Sequence, residues 1–425
     1  MTLNPRSPGR VSDIGRIFVA RGARGLASGY FAVDLGVDLH RQGLSGLEVG
    51  LVLGGILCGA AAAVLGVRSV ADRAGRRRCY RGGYIGQLVA CLLLVLSPWW
   101  WLLILAGLTG TLSSEINDSG PFGALEQVML TTSVSAEQRL RTFSRYGAIG
   151  TASSALGALG AGAFQLVLPG VIGGTSFVPM VPLSLLGVVC AWGLSSRVED
   201  LVPGTTATST APAAAPGSVS DGTRRTVRRL SAVFALDSFG AGFAVQAFVA
   251  YWLATRFGAS MFAVAAIFLG TGLLQAGSMV VAGRLGERFG LLDTMVFTHL
   301  PSNVFLAAIP LAPSLPFAAL LLCLRASLCE MDVPTRNAYV MALVPTQART
   351  DAASTTSFAR LLARPLGPLL AGLSQSLALG APFIISGALK GIYDITLWVW
   401  FRRVPLSGQA GDAEAAPVRA ERQIR

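Results

Sequence analysis

Charged side chains occur within long apolar stretches of this 425-residue chain, a placement that costs free energy unless each charge has a partner or a function. Arg21 and Arg24 lie in the first stretch, and Asp237 lies in the seventh. A buried carboxylate beside an arginine stays charged, and it can take up a proton when the arginine moves away. We therefore expect Asp237 to pair with Arg21 or Arg24, either as a static ion pair or as a pair that exchanges partners.

Two further segments share one order of residues: acidic and polar, then proline, then polar again. They are residues 115–127 around Pro121 and residues 325–337 around Pro334. Proline frees backbone carbonyls beside the carboxylates, which is typical of binding sites at the midplane of a membrane. A structural polar network that ties broken helices together is the alternative. The candidate proton- or substrate-binding residues are Arg21, Arg24, Glu115, Asp118, Asp237, Glu330, Asp332 and Arg336.

Composition and the apolar stretches indicate an all-α membrane protein. Hydrophobic residues make up 52% and charged residues 13% of the chain, and the mean hydropathy is +0.60, which excludes an ordinary soluble domain. Since about 20 apolar residues cross a bilayer as a helix, the sequence predicts twelve transmembrane helices. The predicted spans cover residues 14–37, 46–67, 80–97, 99–120, 142–167, 177–194, 230–254, 260–282, 291–310, 314–333, 353–376 and 382–401.

The twelve spans fall into two bundles of six, separated by a segment rich in Pro, Ser, Thr, Ala and Gly. That composition is typical of a flexible linker. The predicted organisation is an N-terminal bundle at residues 1–194, a linker at 195–229, a C-terminal bundle at 230–401 and a tail at 402–425.

Arginine accumulates in the short connections that lie inside the cell if the N-terminus is cytoplasmic. The sequence therefore predicts that both termini and the linker are cytoplasmic. This bias accounts for the net charge of +12, so we expect a lipid bilayer and no nucleic acid as partner. The excess of Arg over Lys suggests a bacterial protein of the cytoplasmic (inner) membrane. The six cysteines form no ligand pattern with histidine, and we expect neither a metal nor a cofactor.

The connections after spans 2 and 8 share a sequence pattern. Asp72, Arg73 and Gly75 in the first correspond to Glu287, Arg288 and Gly290 in the second, at an offset of 215 positions. The chain resembles the major facilitator superfamily, in which the loop after span 2 reads approximately G-x-L-a-D-R-x-G-R-[KR]. The resemblance covers nearly the whole chain. It implies two pseudo-symmetric six-helix bundles, with spans 1, 4, 7 and 10 lining the pathway.

In that family the acidic residue of the loop holds the cytoplasmic side of the two halves together while the pathway is open outward. The resemblance implies this gating role for Asp72 and Glu287. A solvated turn rich in positive charge is the alternative. The candidate gating residues are Asp72, Arg73, Gly75, Arg76, Glu126, Gly283, Glu287, Arg288, Gly290, Arg360 and Arg364.

Several other polar residues have simpler interpretations. Arg360 and Arg364, one turn apart in span 11, are expected to contact carboxylates of the neighbouring loop, with attraction of an anionic substrate as the alternative. His299 in span 9 is interpreted as a buried histidine with satisfied hydrogen bonds. Asp34 and His40 are expected near the outer surface, in contact with water.

The resemblance implies a secondary transporter that works by alternating access, not an enzyme. The chain has no G-x-x-x-x-G-K-[ST] loop, so it carries no ATP site of that type. The leading hypothesis is a monomer that exports a small organic compound in a proton-coupled manner. Uptake of a small anion by proton symport is the second hypothesis, suggested by the buried arginines. A non-transporting membrane scaffold or receptor on the same fold is the third.

Overall fold

The structure is a computed structural model that describes residues 8–96, 99–113, 120–133, 136–168, 173–194, 221–345 and 348–404. Within these ranges the side chains of a few helical residues, Asp72 among them, are not described. The regular structure of the described residues is helical throughout, without a strand. The fold is therefore the polytopic all-α fold that the sequence predicts.

The N-terminal half begins with the longest helix of the described residues, which carries Arg21, Arg24 and Asp34. A short 3₁₀ helix at Gly173–Phe177 precedes the last helix of this half. The helices are α1 (Pro8–Arg41), α2 (Gly46–Ala74), α3 (Arg76–Leu96), α4 (Trp100–Leu108), α5 (Gly120–Ser133), α6 (Ala136–Val167) and α7 (Met180–Gly193).

The C-terminal half begins at Asp221, so residues 221–229, which the sequence assigns to the linker, are the first turns of a helix. A 3₁₀ turn at Ile309–Leu311 follows the fourth helix of this half. The helices are α8 (Asp221–Gly242), α9 (Gln246–Phe257), α10 (Met261–Phe289), α11 (Leu291–Ala308), α12 (Leu315–Cys329), α13 (Asp332–Leu343), α14 (Arg349–Ala363), α15 (Leu366–Ser374) and α16 (Ala381–Phe401).

Predicted spans 7, 10 and 11 are each divided into two helices, and α4 ends at Leu108, well before the predicted end of span 4. In span 10 the division falls between Cys329 and Asp332, and Pro334 lies in the first turn of α13, where its missing N–H leaves no helical hydrogen bond unmade. In span 4, Pro121 is the second residue of α5. The predicted interruption of span 10 beside its acidic residues is confirmed.

Six helical stretches of the described residues are long and apolar enough to cross a membrane. Large apolar side chains cover their outer surfaces, as expected for residues that face lipid. The six stretches are Gly46–Ala71, Arg76–Leu96, Asp221–Phe257, Met261–Phe289, Leu291–Leu311 and Ala381–Phe401.

The turns after α2 and α10 have the same backbone geometry in the two halves. Gly75 and Gly290 both have φ of 90°, a value that favours glycine because it has no Cβ. Their N–H groups donate to the carbonyls of Ala71 and Gly286, in each case at 3.1 Å. The sequence repeat at these loops therefore corresponds to a repeat in structure.

The extensive contacts between the two halves in the described residues lie at one end, which carries the connections at residues 42–45 and 258–260 and is called the predicted outer end. There α1 packs on α9, α2 on α15 and α6 on α10. Gly36 lies directly against the backbone of Ala247, so close that a side chain at position 36 would overlap the Ala247 carbonyl. The Thr255 hydroxyl is 3.0 Å from Nδ1 of His40, which adds a polar contact between the halves.

Candidate functional site

The N-terminal half contains a buried ion pair between α1 and α5. Both terminal nitrogens of Arg24 donate to Glu126, at 2.7 Å to Oε1 and 2.6 Å to Oε2. Arg24 is 6% exposed and Glu126 is not exposed at all. Such a bidentate geometry is the strongest form of this pair and compensates for the removal of two charges from water.

Three tyrosines surround this pair and form further hydrogen bonds with it. The hydroxyl of Tyr80 donates to Oε1 of Glu126 at 2.7 Å, and the hydroxyl of Tyr146 donates to Oε2. The hydroxyl of Tyr84 accepts a bond from Arg24 at 3.0 Å. The guanidinium also lies over the ring of Phe122, 4.8 Å from its centroid. We call Arg24, Glu126, Tyr80, Tyr84 and Tyr146 the tyrosine cage.

The C-terminal half contains a larger buried cluster in which two cations alternate with two carboxylates. Nζ of Lys390 on α16 lies 2.5 Å from Oδ1 of Asp237 on α8. Arg336 on α13 lies 2.5 Å from Oδ2 of Asp332 and 3.7 Å from Oδ2 of Asp237. All four side chains are at most 7% exposed. Asp237 thus joins three helices.

A histidine extends this cluster toward a further carboxylate. Nδ1 of His299 on α11 lies 2.9 Å from Asp394 on α16, and its Nε2 lies 3.9 Å from Asp237. Asn303 donates to Oδ2 of Asp394 at 2.8 Å. His299 is therefore buried between two carboxylates. We call Asp237, His299, Asp332, Arg336, Lys390 and Asp394 the His299 cluster.

The two halves place ion pairs of opposite polarity at corresponding positions. In the N-terminal half the arginine is on span 1 and the acid on span 4; in the C-terminal half the acid, Asp237, is on span 7 and the arginine, Arg336, on span 10. Tyr84 and His299, which are 215 positions apart, each touch the span 1 or span 7 member of the pair. The C-terminal half thus has a titratable histidine where the N-terminal half has a tyrosine.

The predicted pairing between Asp237 and Arg21 or Arg24 is wrong for this structure. Asp237 pairs with Lys390 and Arg336, and Arg24 pairs with Glu126. The physical reason is local: each half neutralises its own buried charges on adjacent helices, so neither charge depends on the other half. Arg21 instead lies over the ring of Tyr146, 5.1 Å from its centroid.

Other predicted binding residues have mixed outcomes. Asp332 and Arg336 lie together in the His299 cluster, and Glu330 lies at the junction of α12 and α13, where it acts electrostatically on Arg336. Glu126, a candidate gating residue, is fully buried in the tyrosine cage. Glu115 and Asp118 lie outside the described residues.

The predicted gating residues around Gly75 and Gly290 lie at the ends of α2 and α10. Arg73, Gly283, Glu287 and Arg288 are exposed, and Arg76 is half-buried. Glu287 borders a cleft of about 340 Å³ between α10, α11 and α13. Their role as a gate stays a prediction, and the side chain of Asp72 lies outside the description.

Arg360 does not pair with a carboxylate of the neighbouring loop within the described residues, contrary to the expectation. It lies instead on the side of α14 that packs on α8, where Asp237 and Asp332 act on it electrostatically. Arg364 follows one turn later, at the end of α14, and is partly buried.

Asp34 was expected to contact water but is fully buried, and its Oδ2 accepts a hydrogen bond from Ser176 at 2.6 Å. The interpretation of His299 as a buried, hydrogen-bonded histidine is confirmed. That interpretation did not include its place within a charged cluster.

Sequence analysis missed Lys390, Asp394 and the three tyrosines. Lys390 is the single lysine of the chain, and Asp394 follows it by one helical turn within the last apolar span. That i, i+4 pair of charges is a signal that could have been used. The described residues contain no group of three His, Cys, Asp or Glu side chains that could hold a metal, and the six cysteines are free thiols.

Comparisons with known proteins agree with this architecture. The family model of the Major Facilitator Superfamily matches residues 17–368. The uncharacterized membrane protein YJR124C of Saccharomyces cerevisiae is 25% identical over 364 residues, which are 78% of this chain and 81% of the yeast protein.

Solved structures with the same fold include the nucleoside transporter NupG and a bacterial homolog of the human lysosomal transporter Spinster. NupG superimposes with a TM-score of 0.72 at 12% identity, over 92% of this chain and 99% of NupG. The Spinster homolog, in an inward-facing and unoccupied conformation, superimposes with a TM-score of 0.68 at 16% identity, over 92% of this chain and 95% of the other. With a family model matching most of its length and two six-helix halves that repeat in sequence and in structure, the chain belongs to the Major Facilitator Superfamily and is a multi-pass membrane transporter of that type.

Proposed function

We propose that this transporter is proton-coupled and that its proton site is the His299 cluster. The observation that carries the proposal is the position of His299 between Asp394 at 2.9 Å and Asp237 at 3.9 Å. A proton on this imidazole makes it a donor to both carboxylates, whereas the neutral ring can donate to one. Proton uptake therefore changes how firmly α8, α11 and α16 are held together.

Protonation of His299 changes the net charge of the cluster and therefore affects the rest of the C-terminal half. With His299 neutral, its three carboxylates exceed its two cations by one negative charge. One proton brings these six groups to neutrality. Since Asp237 also contacts Arg336 of the divided span 10, a change at His299 reaches the helix ends at residues 329–332. Coupling of proton movement to substrate movement requires such a connection between the protonated group and an interrupted helix.

The tyrosine cage is a poorer proton site. Glu126 accepts hydrogen bonds from Arg24, Tyr80 and Tyr146, so both of its oxygens are occupied by donors. A proton on this carboxylate would have to displace at least one of them. We propose that the cage anchors span 1 to span 4 and that the N-terminal half moves as a unit.

The proposal is tested with purified protein in proteoliposomes that contain a pH-sensitive dye, screened with cationic, anionic and neutral compounds. We expect a compound-dependent proton flux that falls at least about tenfold in His299→Gln and Asp394→Asn, because each removes a proton acceptor of the cluster. His40→Gln is the matched control, since it changes the other histidine of the chain and should retain flux. Flux that survives both cluster substitutions would overturn the assignment.

The direction that we propose is export of a small organic compound in exchange for protons, with protons moving inward as the compound leaves. Uptake of a small anion together with protons is the second candidate, favoured by the partly buried Arg360, which has no ion-pair partner in the described residues. The sign of the compound-driven pH change separates the two. A variant that loses a cellular phenotype while purified protein moves neither compound nor protons would instead support the scaffold hypothesis.

A further inference from the structure

We propose that the guanidinium of Arg360 receives the anionic group of the substrate, which places the transported compounds among small organic monoanions such as monocarboxylates. The inference deepens the proposed function by naming a substrate class, and it rests on that proposal only in taking the His299 cluster as part of the transport pathway.

Arg360 differs from Arg24 and Arg336 in having no hydrogen-bond or ion-pair partner among the described residues. Its side chain makes no hydrogen bond and no ion pair to the described residues, and its Nε is buried without an acceptor. Arg24 and Arg336, by contrast, each hold a carboxylate at 2.6 Å or less. An unpaired guanidinium at membrane depth is costly, and the cost is recovered when an anion binds.

The carboxylates near Arg360 are already committed to other groups. Asp237 is held by Lys390 and Asp332 by Arg336, each at 2.5 Å, and Asp394 is held by His299 and Asn303. Asp237 and Asp332 interact with Arg360 electrostatically, without a direct contact to it. The pairing within the cluster thus leaves the Arg360 guanidinium available, on a helix that packs against α8, the helix of Asp237.

A second unsatisfied donor lies among the same charged groups. Tyr393 is fully buried, with its ring 5.7 Å from that of His299, and its hydroxyl has no hydrogen-bond partner in the described part of the chain. Of these two donors, it is the cationic one, Arg360, whose lack of an acceptor among the described residues favours a ligand that brings oxygen acceptors. A carboxylate matches the planar fork of arginine with two parallel bonds, which a neutral or cationic compound cannot do.

The site can be tested without transport by chemical modification of arginine. Purified full-length protein in detergent is treated with phenylglyoxal, and the modification of each arginine is followed by mass spectrometry. We expect Arg360 to react at least about tenfold faster than Arg24 and Arg336, whose guanidinium groups are tied to carboxylates. A rate for Arg360 as low as those of the two paired arginines would overturn the proposal.

The substrate class is tested in the same assay with four probes: benzoate and octanoate as monoanions, tetraphenylphosphonium as cation and uridine as neutral compound. We expect a monoanion to slow the modification of Arg360 at least about fivefold, in a saturable manner. The same monoanion should raise the Tm of the native protein and of Arg256→Gln, a control at the predicted outer end, but not that of Arg360→Gln. Protection by the cation or by uridine alone, or by none of the probes, would refute the assignment.

This experiment separates the two proposals. If protons are not coupled through His299, His299→Gln will retain flux while Arg360 is still protected by the monoanion. If the anion site is wrong, protection fails while the loss of proton flux in His299→Gln remains.

Discussion

At the scale of single residues, the two halves solve the same electrostatic problem in different ways. In the tyrosine cage, Arg24 and Glu126 bind each other, and neutral tyrosine hydroxyls add further hydrogen bonds to both. The His299 cluster instead balances charge against charge and includes a ring that can change its own charge. Neutral groups whose hydrogen bonds are all made hold a structure in one arrangement. A group that can gain or lose a proton allows two arrangements, one for each protonation state.

The cage makes a prediction about stability. Glu126→Gln should destabilise the protein by about 3–5 kcal/mol, because it leaves the buried Arg24 without a counter-charge. Tyr146→Phe, which removes one neutral donor and keeps the ion pair, should cost only about 1 kcal/mol. Thermal unfolding of the purified variants in detergent measures both.

The paired change Arg24→Met with Glu126→Leu provides the control for that prediction. Because both charges are then absent, the double variant should be more stable than Glu126→Gln alone. A double variant that is as unstable as the sum of its single changes would show that the cage stabilises by packing and not by neutralising a charge.

At the scale of elements, α1 is held against α6 by glycines whose missing side chains allow backbone contact. A Cβ at Gly157 would overlap the carbonyl of Leu26, and one at Gly29 would overlap that of Ser154. This is the small-residue packing expected between helices in a membrane. It fixes the position of Arg24, since that residue precedes the two contacts at Leu26 and Gly29 by less than two turns of α1.

We expect Gly157→Val to lower the stability by about 1–3 kcal/mol or to prevent assembly, because the added atoms cannot fit between α6 and α1. Gly160→Val on the same helix is the matched control, since a Cβ there meets only Tyr30 at 4.0 Å. The fraction of monodisperse protein in size-exclusion chromatography and its Tm measure the difference. Equal behaviour of the two variants would contradict the close packing of α1 on α6.

At the scale of the whole molecule, the contacts between the halves are concentrated at the predicted outer end. Thr255 and His40 meet there at 3.0 Å, and the hydroxyl of Tyr251 donates to the carbonyl of Leu44 at 3.2 Å. If transport requires this end to open, a covalent link across it must stop the cycle. A link between two parts that never separate would have no effect.

We therefore predict that cysteines at positions 40 and 255, in a chain whose six native cysteines are replaced, stop flux when joined by a short thiol cross-linker. With a cross-linker that joins the two thiols through disulfide bonds, flux should return to at least about half of its initial value after reduction, because reduction cleaves those bonds. Each single-cysteine variant treated in the same way is the control. Undiminished flux with a complete cross-link would rule out opening at this end.

The amino-acid sequence by itself determined the class of structure. Apolar stretches of about 20 residues can cross a bilayer only as helices when they are not part of a closed barrel, so the polytopic fold follows from composition and period. The repeat around Gly75 and Gly290 could also be predicted from the sequence, because a φ of 90° favours glycine and the same residue therefore occurs at both turns. The break of span 10 could be predicted for a similar local reason, because a proline stands at position 334.

Only the tertiary structure decided which charges meet. Arg24 and Glu126 are 102 positions apart, and Lys390 and Asp237 are 153 apart, so no local spacing could pair them. The sequence shows that buried charges need partners, but the choice among several carboxylates and arginines depends on which helices pack side by side. That packing, set by glycine contacts between distant helices, assigned Asp237 to Lys390 and Arg336 and left Arg360 without a partner in the described part of the chain.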